Sequence, residues 1–282
     1  MRSFAVVTTC HATGFEAYGR RMLESFEKYW PPHVRLLFYC EGFVPESHGA
    51  RVEVRDLLAS CPALVDFKAR HADDPRAHGR LRRRKPRIVY DPYKKRLRLR
   101  GMKWGLGYRW DAVRFAHKCF AIFDAARHTD ADVLLWVDAD TLFFADVGDA
   151  DLERMLPPDH FVGCLRRPIH SECGLVAYDL RDPATRVLLD DLERMYTQDL
   201  LFAEDEFHDS FLFDVVRERV ERSGARSHDI AEGIGQSAEH VLINSWLGRF
   251  MDHLKGGRKD IGRSHDKDLL EGRNEDYWRG PG

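Results

Sequence analysis

The chain has 282 residues, of which 44% are hydrophobic and 32% charged, and its formal net charge is −2 at pH 7. These values are typical of a soluble globular chain with one large α/β domain, and they exclude an intrinsically disordered protein. The charge balance provides no overall attraction for polyanions, and no apolar run reaches the roughly 18–20 residues that span a bilayer.

Cysteine usage and the first residues predict a cytoplasmic protein. Residues 1–9 are too short and too soon polar for a secretory signal, and we interpret them as the first strand. The six cysteines are widely spaced and include no Cys-x-x-Cys pair, which argues against a zinc site and against a disulfide framework. They are Cys10, Cys40, Cys61, Cys119, Cys164 and Cys173.

The first part of the chain has the pattern of a parallel α/β sheet. Residues 4–9 and 34–39 are apolar, β-rich runs, and residues 15–29 between them carry apolar side chains at helical spacing. Two prolines after Trp30 end this helix. A strand, a helix and a second strand at this spacing predict a βαβ unit with parallel pairing. Residues 52–58 are predicted as a third strand.

A strongly basic stretch then interrupts the pattern. Residues 68–100 contain 14 Lys and Arg against three acidic residues, and they are densest in cations at residues 82–85. Weak periodicity predicts an insertion or loop at about 68–105, partly a hairpin. Either this stretch is solvated, or it holds a polyanionic acceptor such as nucleic acid, because Tyr90, Tyr93 and Trp104 interleave with the cations.

The rest of the chain alternates helices and strands, and Val133–Val137 is its most strand-like run. We therefore predict an α/β fold with a mostly parallel central sheet and helices on both faces, in a single domain over residues 1–282 with a polar tail after about residue 262. The other predicted elements are helices at residues 110–126, 184–196, 207–222 and 237–254, and strands at residues 161–165 and 174–178.

Two aspartates follow the most strand-like run. Asp138, Ala139 and Asp140 come directly after Leu-Leu-Trp-Val at residues 134–137. Charge inside a buried strand is costly, and open α/β sheets bind ligands beyond the carboxyl ends of their strands. Two carboxylates there predict a hard oxygen site for a divalent cation, with a diphosphate completing the coordination. The alternative is a strand-end turn with two solvated aspartates.

The run Trp-Val-Asp-Ala-Asp-Thr at residues 136–141 resembles the Asp-X-Asp motif of GT-A glycosyltransferases, in particular of the glycogenin-like families. Residues 250–259 resemble the His-x-x-Gly-x-x-Lys element that these families carry near their ends, with His253, Gly256 and Lys259 at the matching positions. The resemblance implies a GT-A (Rossmann-like) fold over roughly residues 3–262. The basic stretch departs from the family pattern, as do Cys10 and His11 after the first strand.

By this resemblance, His253 is the third ligand of a metal held by Asp138 and Asp140. Imidazole beside carboxylates suits Mn²⁺ or Mg²⁺. For His253 alone, a helix C-terminal histidine that is stabilised by the helix dipole is the alternative.

The resemblance also implies that the residues of the C-terminal element meet the donor. Gly256 allows the backbone to approach phosphate, and Lys259 offsets phosphate charge, with Lys255 as an additional cation. Asp138, Ala139 and Asp140 are expected against the same nucleotide-sugar donor, for which a UDP-sugar is the expectation.

Two further groups are expected to bind the donor. The families hold the nucleoside at the end of the first strand, which here is Thr8, Thr9 and Cys10. They often place a basic residue on the helix before the acidic strand, and Arg114 and Lys118 share one face of that helix. The alternatives are a polar strand end and a solvated basic face.

Three residues are expected beside the reacting groups. The resemblance places Glu172 near the sugar and Asp209 beside the reacting sugar carbon, with Asp205 as the second match. His208 is expected to contact the acceptor. For the acidic residues of this run, ordinary capping near a helix N-terminus is the alternative.

Three classes of function fit these patterns. The first is a metal-dependent glycosyltransferase of the hexosyltransferase type, for which the glycogenin-like resemblance favours retention of anomeric configuration. The second is a phosphatase of the haloacid dehalogenase type with Asp138 as nucleophile, although that family places its aspartates on the first strand. The third is a non-catalytic nucleic-acid-binding protein that uses the basic stretch, which leaves the acidic pair and His253 unexplained.

Overall fold

The computed structural model of the protein describes residues 2–46, 48–80, 87–91, 95–100 and 107–279. The strands are β1 (Phe4–His11), β2 (Arg35–Glu41), β3 (Val52–Asp56), β4 (Arg87–Asp91), β5 (Arg96–Arg100), β6 (Val133–Val137), β7 (Thr141–Phe143), β8 (Val162–Leu165), β9 (Glu172–Asp179), β10 (Ser227–Asp229) and β11 (Met251–His253). Seven of them form the central sheet in the order β10-β8-β9-β6-β1-β2-β3.

The central sheet is mixed but mostly parallel. β1 pairs in parallel with β2 and β6, β2 with β3, and β8 with β10. β9 is the exception, because it runs antiparallel to both β6 and β8. Two ribbons, β7 with β11 and β4 with β5, lie outside this sheet.

Helices cover both faces of the sheet. In β6, Leu134 and Trp136 pack into one apolar cluster with α5 (Ala112–His128), α7 (Pro183–Thr197) and α8 (Asp209–Glu221). Leu135 and Val137 pack into the other cluster with α2 (Arg20–Tyr29) and α6 (Asp149–Met155). The predicted α/β arrangement with helices on both faces is therefore confirmed. The α-helices are α1 (Ala12–Gly14), α2 (Arg20–Tyr29), α3 (Leu57–Ser60), α4 (Pro62–Arg70), α5 (Ala112–His128), α6 (Asp149–Met155), α7 (Pro183–Thr197), α8 (Asp209–Glu221), α9 (Val241–Asn244), α10 (Arg258–Ile261) and α11 (Asp276–Arg279).

Part of the basic stretch forms an antiparallel hairpin. Strands β4 and β5 pair in the register Arg87 to Arg100, which agrees with the predicted partial hairpin. The stretch begins inside a helix, because Lys68 belongs to α4. Residues 82–85, together with Tyr93 and Trp104, lie outside the described residues.

The prediction of one amphipathic helix over residues 237–254 is wrong. The segment forms α9, the 3-10 turn Trp246–Arg249 and β11. Its apolar residues are buried on several sides, and the pairing of β11 with β7 overrides helical periodicity. Gly248 shows how tight this turn is, because a Cβ there would lie 2.2 Å from the Ile243 carbonyl oxygen.

The segment after residue 262 packs against this turn and β11. Trp278 is 5% exposed, and its indole N–H donates to the Gly248 carbonyl oxygen at 2.7 Å. The fully buried Asp252 carboxylate accepts hydrogen bonds from the Ser264 hydroxyl at 2.6 Å and the Tyr277 hydroxyl at 2.8 Å. Part of the predicted polar tail thus anchors the strand that carries His253.

Among the helices in the described ranges, none combines the length and apolar character that a membrane crossing requires.

Candidate active site

The chain topology brings His253 to the aspartate pair. β6 is buried along its whole length, and the chain turns at Asp138, whose backbone N–H donates to the Gly174 carbonyl oxygen at 2.9 Å. β7 leaves this turn and pairs with β11, so that Thr141 lies opposite His253. The carboxyl end of β6 and the end of β11 therefore meet at one edge of the sheet.

The three predicted metal ligands converge there. His253 Nε2 lies 3.2 Å from Asp138 Oδ2 and 3.1 Å from Asp140 Oδ1. One candidate ligand atom from each of the three residues lies within 4.8 Å of the others. This is the spacing of groups that can share one cation, and it is the arrangement that the two sequence motifs predict.

Glu172 lies behind His253 and fixes the direction of its ring. Glu172 is 1% exposed, and its Oε1 lies 3.2 Å from His253 Nδ1, while its Oε2 accepts from the Val241 N–H at 3.0 Å. A carboxylate at Nδ1 holds the proton on that nitrogen and leaves Nε2 as the ligand atom. A Cβ at Gly174 would lie 2.4 Å from the His253 ring, so only glycine allows this contact.

Three lysines neutralise the acidic groups of the site. Lys118 Nζ lies 3.0 Å from Asp138 Oδ1 and also contacts Asp209 Oδ2 at 2.7 Å. Lys259 Nζ lies 2.8 Å from Asp140 Oδ2. The third lysine, Lys255, lies 2.7 Å from Glu172 Oε1. Pairing of this kind is required where several charges leave water together.

Burial and pairing act in opposite directions on the pKa values here. Burial would raise the pKa of Asp138, but Lys118 and His253 hold it well below its ordinary value. Burial likewise opposes ionisation of Asp140, and His253 lowers its pKa. For His253 burial would lower the pKa, whereas Asp140 and Asp138 raise it well above the ordinary value. The site therefore holds two carboxylates in their charged form.

The donor set fits a divalent cation. Two carboxylates offer hard oxygen atoms, and an imidazole that is oriented through its second nitrogen offers a borderline ligand, a combination that suits Mn²⁺ or Mg²⁺. Trp136 helps to fix the position of the Asp138 carboxylate, because its indole N–H donates to Asp138 Oδ1 at 2.7 Å.

An open cleft of about 160 Å³ lies against this site. Asp209, the first residue of α8, lines it together with Phe115 and Arg167. The predicted residue Asp209 thus shares a cleft with Asp138 and His253, and Lys118 links the two aspartates.

The predicted nucleoside edge is only partly accessible. Thr8 is 0% exposed and its hydroxyl is buried, and Cys10 is also buried. Thr9 is less buried, and its hydroxyl bonds to the Tyr39 carbonyl oxygen at 2.9 Å and to Glu41 Oε1 at 3.1 Å. Of these three predicted residues, Thr9 is the one that a ligand can reach without rearrangement.

The other residues that are expected to bind the nucleotide-sugar donor also differ in whether they reach the site. Lys118 contacts the site directly, whereas Arg114, one helical turn earlier, is exposed and lies 5.9 Å from the Phe115 ring centroid. Gly256 adopts a left-handed conformation with φ +60°, and a Cβ there would meet nothing within 4 Å. This glycine forms the turn that returns Lys259 to Asp140.

His208 lies in the interior, with both ring nitrogens occupied. Its Nε2 lies 2.9 Å from Glu206 Oε2, and its Nδ1 accepts from the Phe211 N–H at 3.4 Å as the cap of α8. Together with His170, Glu206 and His208 form a second group of potential metal ligands. However, N–H groups of Phe211 and Arg167 are the nearer partners of Nδ1 in His208 and His170, ahead of Asp209 Oδ1 at 3.9 Å and the Ser171 carbonyl oxygen at 3.4 Å. This favours the proton on Nε2 in each neutral ring and makes the second group a weaker cation site than the first.

Sequence reasoning missed two pairs of residues, namely Glu41 with His117, and Trp136 with Gly174. Glu41, the last residue of β2, bonds to Thr9 and lies 2.6 Å from His117 Nδ1, so it extends the predicted nucleoside edge. Trp136 and Gly174 support Asp138 and His253 directly. A glycine inside a buried strand is a signal of close approach, and it could have identified Gly174.

No family model matches the chain, and no curated protein matches it. Solved structures that resemble it include the apo-form glycosyltransferase GlyE from Streptococcus pneumoniae TIGR4, with 11% identity and a TM-score of 0.43. Mouse xyloside xylosyltransferase 1 matches with 11% identity and a TM-score of 0.44, and an active-site mutant of LgtC with 12% and 0.40.

These matches cover 80%, 80% and 74% of this chain, and 44%, 84% and 69% of the three structures in the same order. The chain thus spans less than half of the length of GlyE. At these identities and TM-scores the likeness concerns the fold alone, and it carries no information on substrates.

Proposed function

We propose that this chain is a metal-dependent glycosyltransferase that moves a sugar from a nucleotide-sugar donor to an acceptor. The observation that carries the proposal is the convergence of Asp138, Asp140 and His253 at the carboxyl edge of the sheet, with three lysines around them. Such a site suits a ligand that carries a diphosphate, because it combines cation ligands with positive side chains.

The proposed metal ligands face the leaving group. Asp138, Asp140 and His253 would hold a divalent cation, which would supply Lewis-acid stabilisation of the departing nucleoside diphosphate. Lys259 and Lys255 stabilise the same developing negative charge through their ammonium groups. Each now pairs with a carboxylate, at 2.8 Å from Asp140 and 2.7 Å from Glu172, and both are partly exposed, so each can turn towards a bound diphosphate.

Asp209 is the proposed group on the sugar side. Its carboxylate lines the cleft next to the metal site, and Lys118 holds it in place. The sugar carbon gains oxocarbenium character as its bond to the diphosphate breaks, and a nearby carboxylate stabilises that charge. The same carboxylate could instead accept the proton of the attacking hydroxyl, in which case it serves as a general base.

Glu172 has the role of a positioning residue in this proposal. It contacts His253 Nδ1 and Lys255 Nζ from a fully buried position, so it orients a metal ligand and a cation together. Burial would raise the pKa of Glu172, but Lys255 and His253 hold it well below its ordinary value. The carboxylate therefore stays charged behind the site.

The finer assignments rest on the motif resemblance. They are a UDP-sugar donor, a hexosyltransferase reaction with retention of configuration and Mn²⁺ as the ion. The proposed cytoplasmic location rests instead on the widely spaced cysteines. A haloacid-dehalogenase-type phosphatase is the weaker alternative, because His253 and three lysines around the aspartates have no part in that nucleophile motif.

A donor screen tests the proposal. Release of nucleoside diphosphate would be followed for a panel of UDP-, GDP- and ADP-sugars with Mn²⁺, with Mg²⁺ and with EDTA. We expect metal-dependent release from at least one nucleotide sugar. Covalent labelling of Asp138 by a phosphate mimic, without metal-dependent release from any donor, would instead support the phosphatase.

A further inference from the structure

Among the described residues that line the cleft, one cation differs from the other two. Lys118 and Lys255 each contact a carboxylate at 2.7 Å, and the guanidinium of Arg109 beside the His208 cluster contacts Glu206 at 2.7 Å. Arg167 also lines the cleft, yet within the described residues it forms no ion pair with a carboxylate. Its positive charge is therefore uncompensated at the edge of the proposed catalytic cleft.

The guanidinium of Arg167 is held by neutral acceptors. Its Nε donates to the His170 carbonyl oxygen at 2.9 Å, its Nη1 to the Glu239 carbonyl oxygen at 3.2 Å and its Nη2 to His170 Nδ1 at 3.0 Å. Arginine has five N–H groups, so these three bonds leave one N–H on each terminal nitrogen. A longer contact to the Ser171 carbonyl oxygen, at 3.5 Å, is too weak to occupy one of them fully.

The loop that carries Arg167 is anchored at both ends. Before it, the Arg166 backbone N–H donates to Asp229 at 3.2 Å, and the Arg166 side chain bonds to Glu221 at 2.6 Å. After it, Ser171 donates to Asp214 through its N–H at 2.6 Å and its hydroxyl at 2.8 Å. The guanidinium is therefore pre-organised, and a ligand that binds it does not have to order the loop.

His170 adds no positive charge of its own. Burial lowers the pKa of His170 to about 4, and the neighbouring His208 and Arg167 act in the same direction. The ring is neutral at pH 7 and accepts from Arg167 through Nδ1, so it supports the guanidinium without competing for an anion.

We infer that Arg167 is the recognition site for an oxyanion, a carboxylate or a phosphate, carried by the glycosyl acceptor. A fixed guanidinium with one free N–H group and one that makes only a weak contact to Ser171 binds such oxyanions through charge-assisted hydrogen bonds. The donor diphosphate has its own cations in Lys255 and Lys259, which leaves Arg167 to the second substrate. This inference rests on the proposed glycosyltransferase function, since it assigns the remaining part of the same cleft.

Binding of simple sugars tests the site without requiring turnover. Isothermal titration calorimetry in the presence of EDTA would compare D-glucuronate and D-glucose 6-phosphate with D-glucose, so that metal-mediated binding is absent. We expect both charged sugars to bind at least tenfold more tightly than glucose. Arg167→Gln should remove that preference, and Arg167→Lys should keep part of it because the charge remains.

Arg186→Gln is the matched control, because Arg186 lies on the outer face of α7 with its side chain 85% exposed. It should bind all three sugars as the unaltered protein does, and thermal melting would show that each variant is folded. Equal binding of charged and neutral sugars, or an unchanged preference in Arg167→Gln, would overturn the inference.

Two further measurements separate the acceptor from the donor as the source of the oxyanion. Nucleoside diphosphate affinity with Mn²⁺ should be the same for Arg167→Gln and the unaltered protein, and a tenfold loss would show that Arg167 binds the diphosphate instead. Acceptor-free hydrolysis of UDP-glucuronic acid and UDP-glucose should also be unaffected. Selective loss with UDP-glucuronic acid would assign the oxyanion to the transferred sugar and refute the acceptor assignment. If no donor is turned over, the sugar-binding result still stands apart from the failure of the proposed function.

Discussion

Two clusters in this molecule have nearly the same residue types but opposite chemistry. Asp138, Asp140 and His253 form one, and His170, Glu206 and His208 form the other, and both bring three potential ligand atoms within 4.8 Å. The difference lies at the second nitrogen of each imidazole. A carboxylate lies 3.2 Å from Nδ1 of His253, whereas the nearer partner of Nδ1 in the other two rings is an N–H donor, Arg167 at 3.0 Å from His170 and Phe211 at 3.4 Å from His208. Oxygen atoms lie farther from these two nitrogens, the Ser171 carbonyl oxygen at 3.4 Å from His170 and Asp209 Oδ1 at 3.9 Å from His208.

This difference decides which cluster can hold a cation. When a carboxylate accepts the Nδ1 proton, Nε2 can give up its own proton and present a lone pair to a metal. When an N–H group donates to Nδ1, Nε2 must carry the proton, and a metal there would require an imidazolate. Glu206 is further occupied by Arg109, whose Nη1 lies 2.7 Å from it. The first cluster is thus arranged for a ligand, and the second is arranged for the fold.

The largest expected effect comes from removal of one aspartate of the first cluster. Asp140→Ala should reduce sugar transfer by roughly 10³-fold or more, because it removes one of the proposed ligands of the cation that would stabilise the leaving group. The fold should persist, since Asp140 lies at a strand end and its loss opens no core cavity. Any fall in melting temperature should be limited to the loss of its pairs with Lys259 and His253. Donor turnover and thermal melting would be measured on the same samples.

Asp190→Ala is the control for this variant, because the Asp190 side chain is 60% exposed on α7 and lies 3.9 Å from Arg186. It should transfer sugar at the unaltered rate. Unchanged turnover in Asp140→Ala, or a collapsed melt, would count against the assignment of the first cluster.

A smaller effect is expected when the support of His253 is weakened. Glu172→Gln keeps the shape of the side chain but removes its charge, and Mn²⁺ affinity should fall by about 10–100-fold, the usual range for the partner of a ligating histidine. Calorimetry with Mn²⁺ in the absence of donor measures this directly.

Glu218→Gln, at a side chain that is 58% exposed, is the control for Glu172→Gln, and it should bind Mn²⁺ as the unaltered protein does.

His170→Ala tests whether the second cluster binds a metal. This variant should leave both the affinity and the stoichiometry of Mn²⁺ unchanged. A second Mn²⁺ per chain that disappears in His170→Ala would show that the second cluster is a metal site after all.

The sequence predicts much of the first cluster because its geometry follows from strand order. Asp138 and Asp140 end a strand that is visibly apolar, and the edge of a parallel sheet is where such residues act. The position of His253 came from the motif resemblance and not from periodicity, which predicted a helix where the chain forms β11. Strand pairing with β7 depends on contacts between distant parts of the chain, and a local pattern does not contain it.

The second cluster and Arg167 could not be predicted in the same way. His208 was expected at the acceptor, but its burial depends on how the start of α8 packs beside Phe115 and Tyr108. The isolation of Arg167 from carboxylates is a property of its surroundings, since the adjacent Arg166 has the partner Glu221 at 2.6 Å. Arg166 and Arg167 are adjacent in the sequence, so the difference in their carboxylate partners arises from tertiary structure alone.

The smallest expected effect concerns the protonation of His170 in the second cluster. It can be measured without any ligand, and it distinguishes the two clusters. The pKa of His170 is lowered to about 4, first by burial and then by the neighbouring His208 and Arg167. An unfolded histidine titrates near 6.5, so the unfolded chain takes up this proton before the folded chain does. The resulting contribution to stability is fully present above about pH 6.5 and declines as the pH falls towards 4.

Proton NMR titration of the His170 ring, assigned by the signal that is lost in His170→Ala, would follow this equilibrium. We expect a midpoint far below 6.5, and an upward shift in Arg167→Gln because a neighbouring cation is removed. Burial is the larger cause, so the midpoint of that variant should still lie below the ordinary value. If His170 instead titrated above 6.5, it would have to face an acidic group rather than the Arg167 guanidinium. The contrast between the two clusters would then fail at its central point.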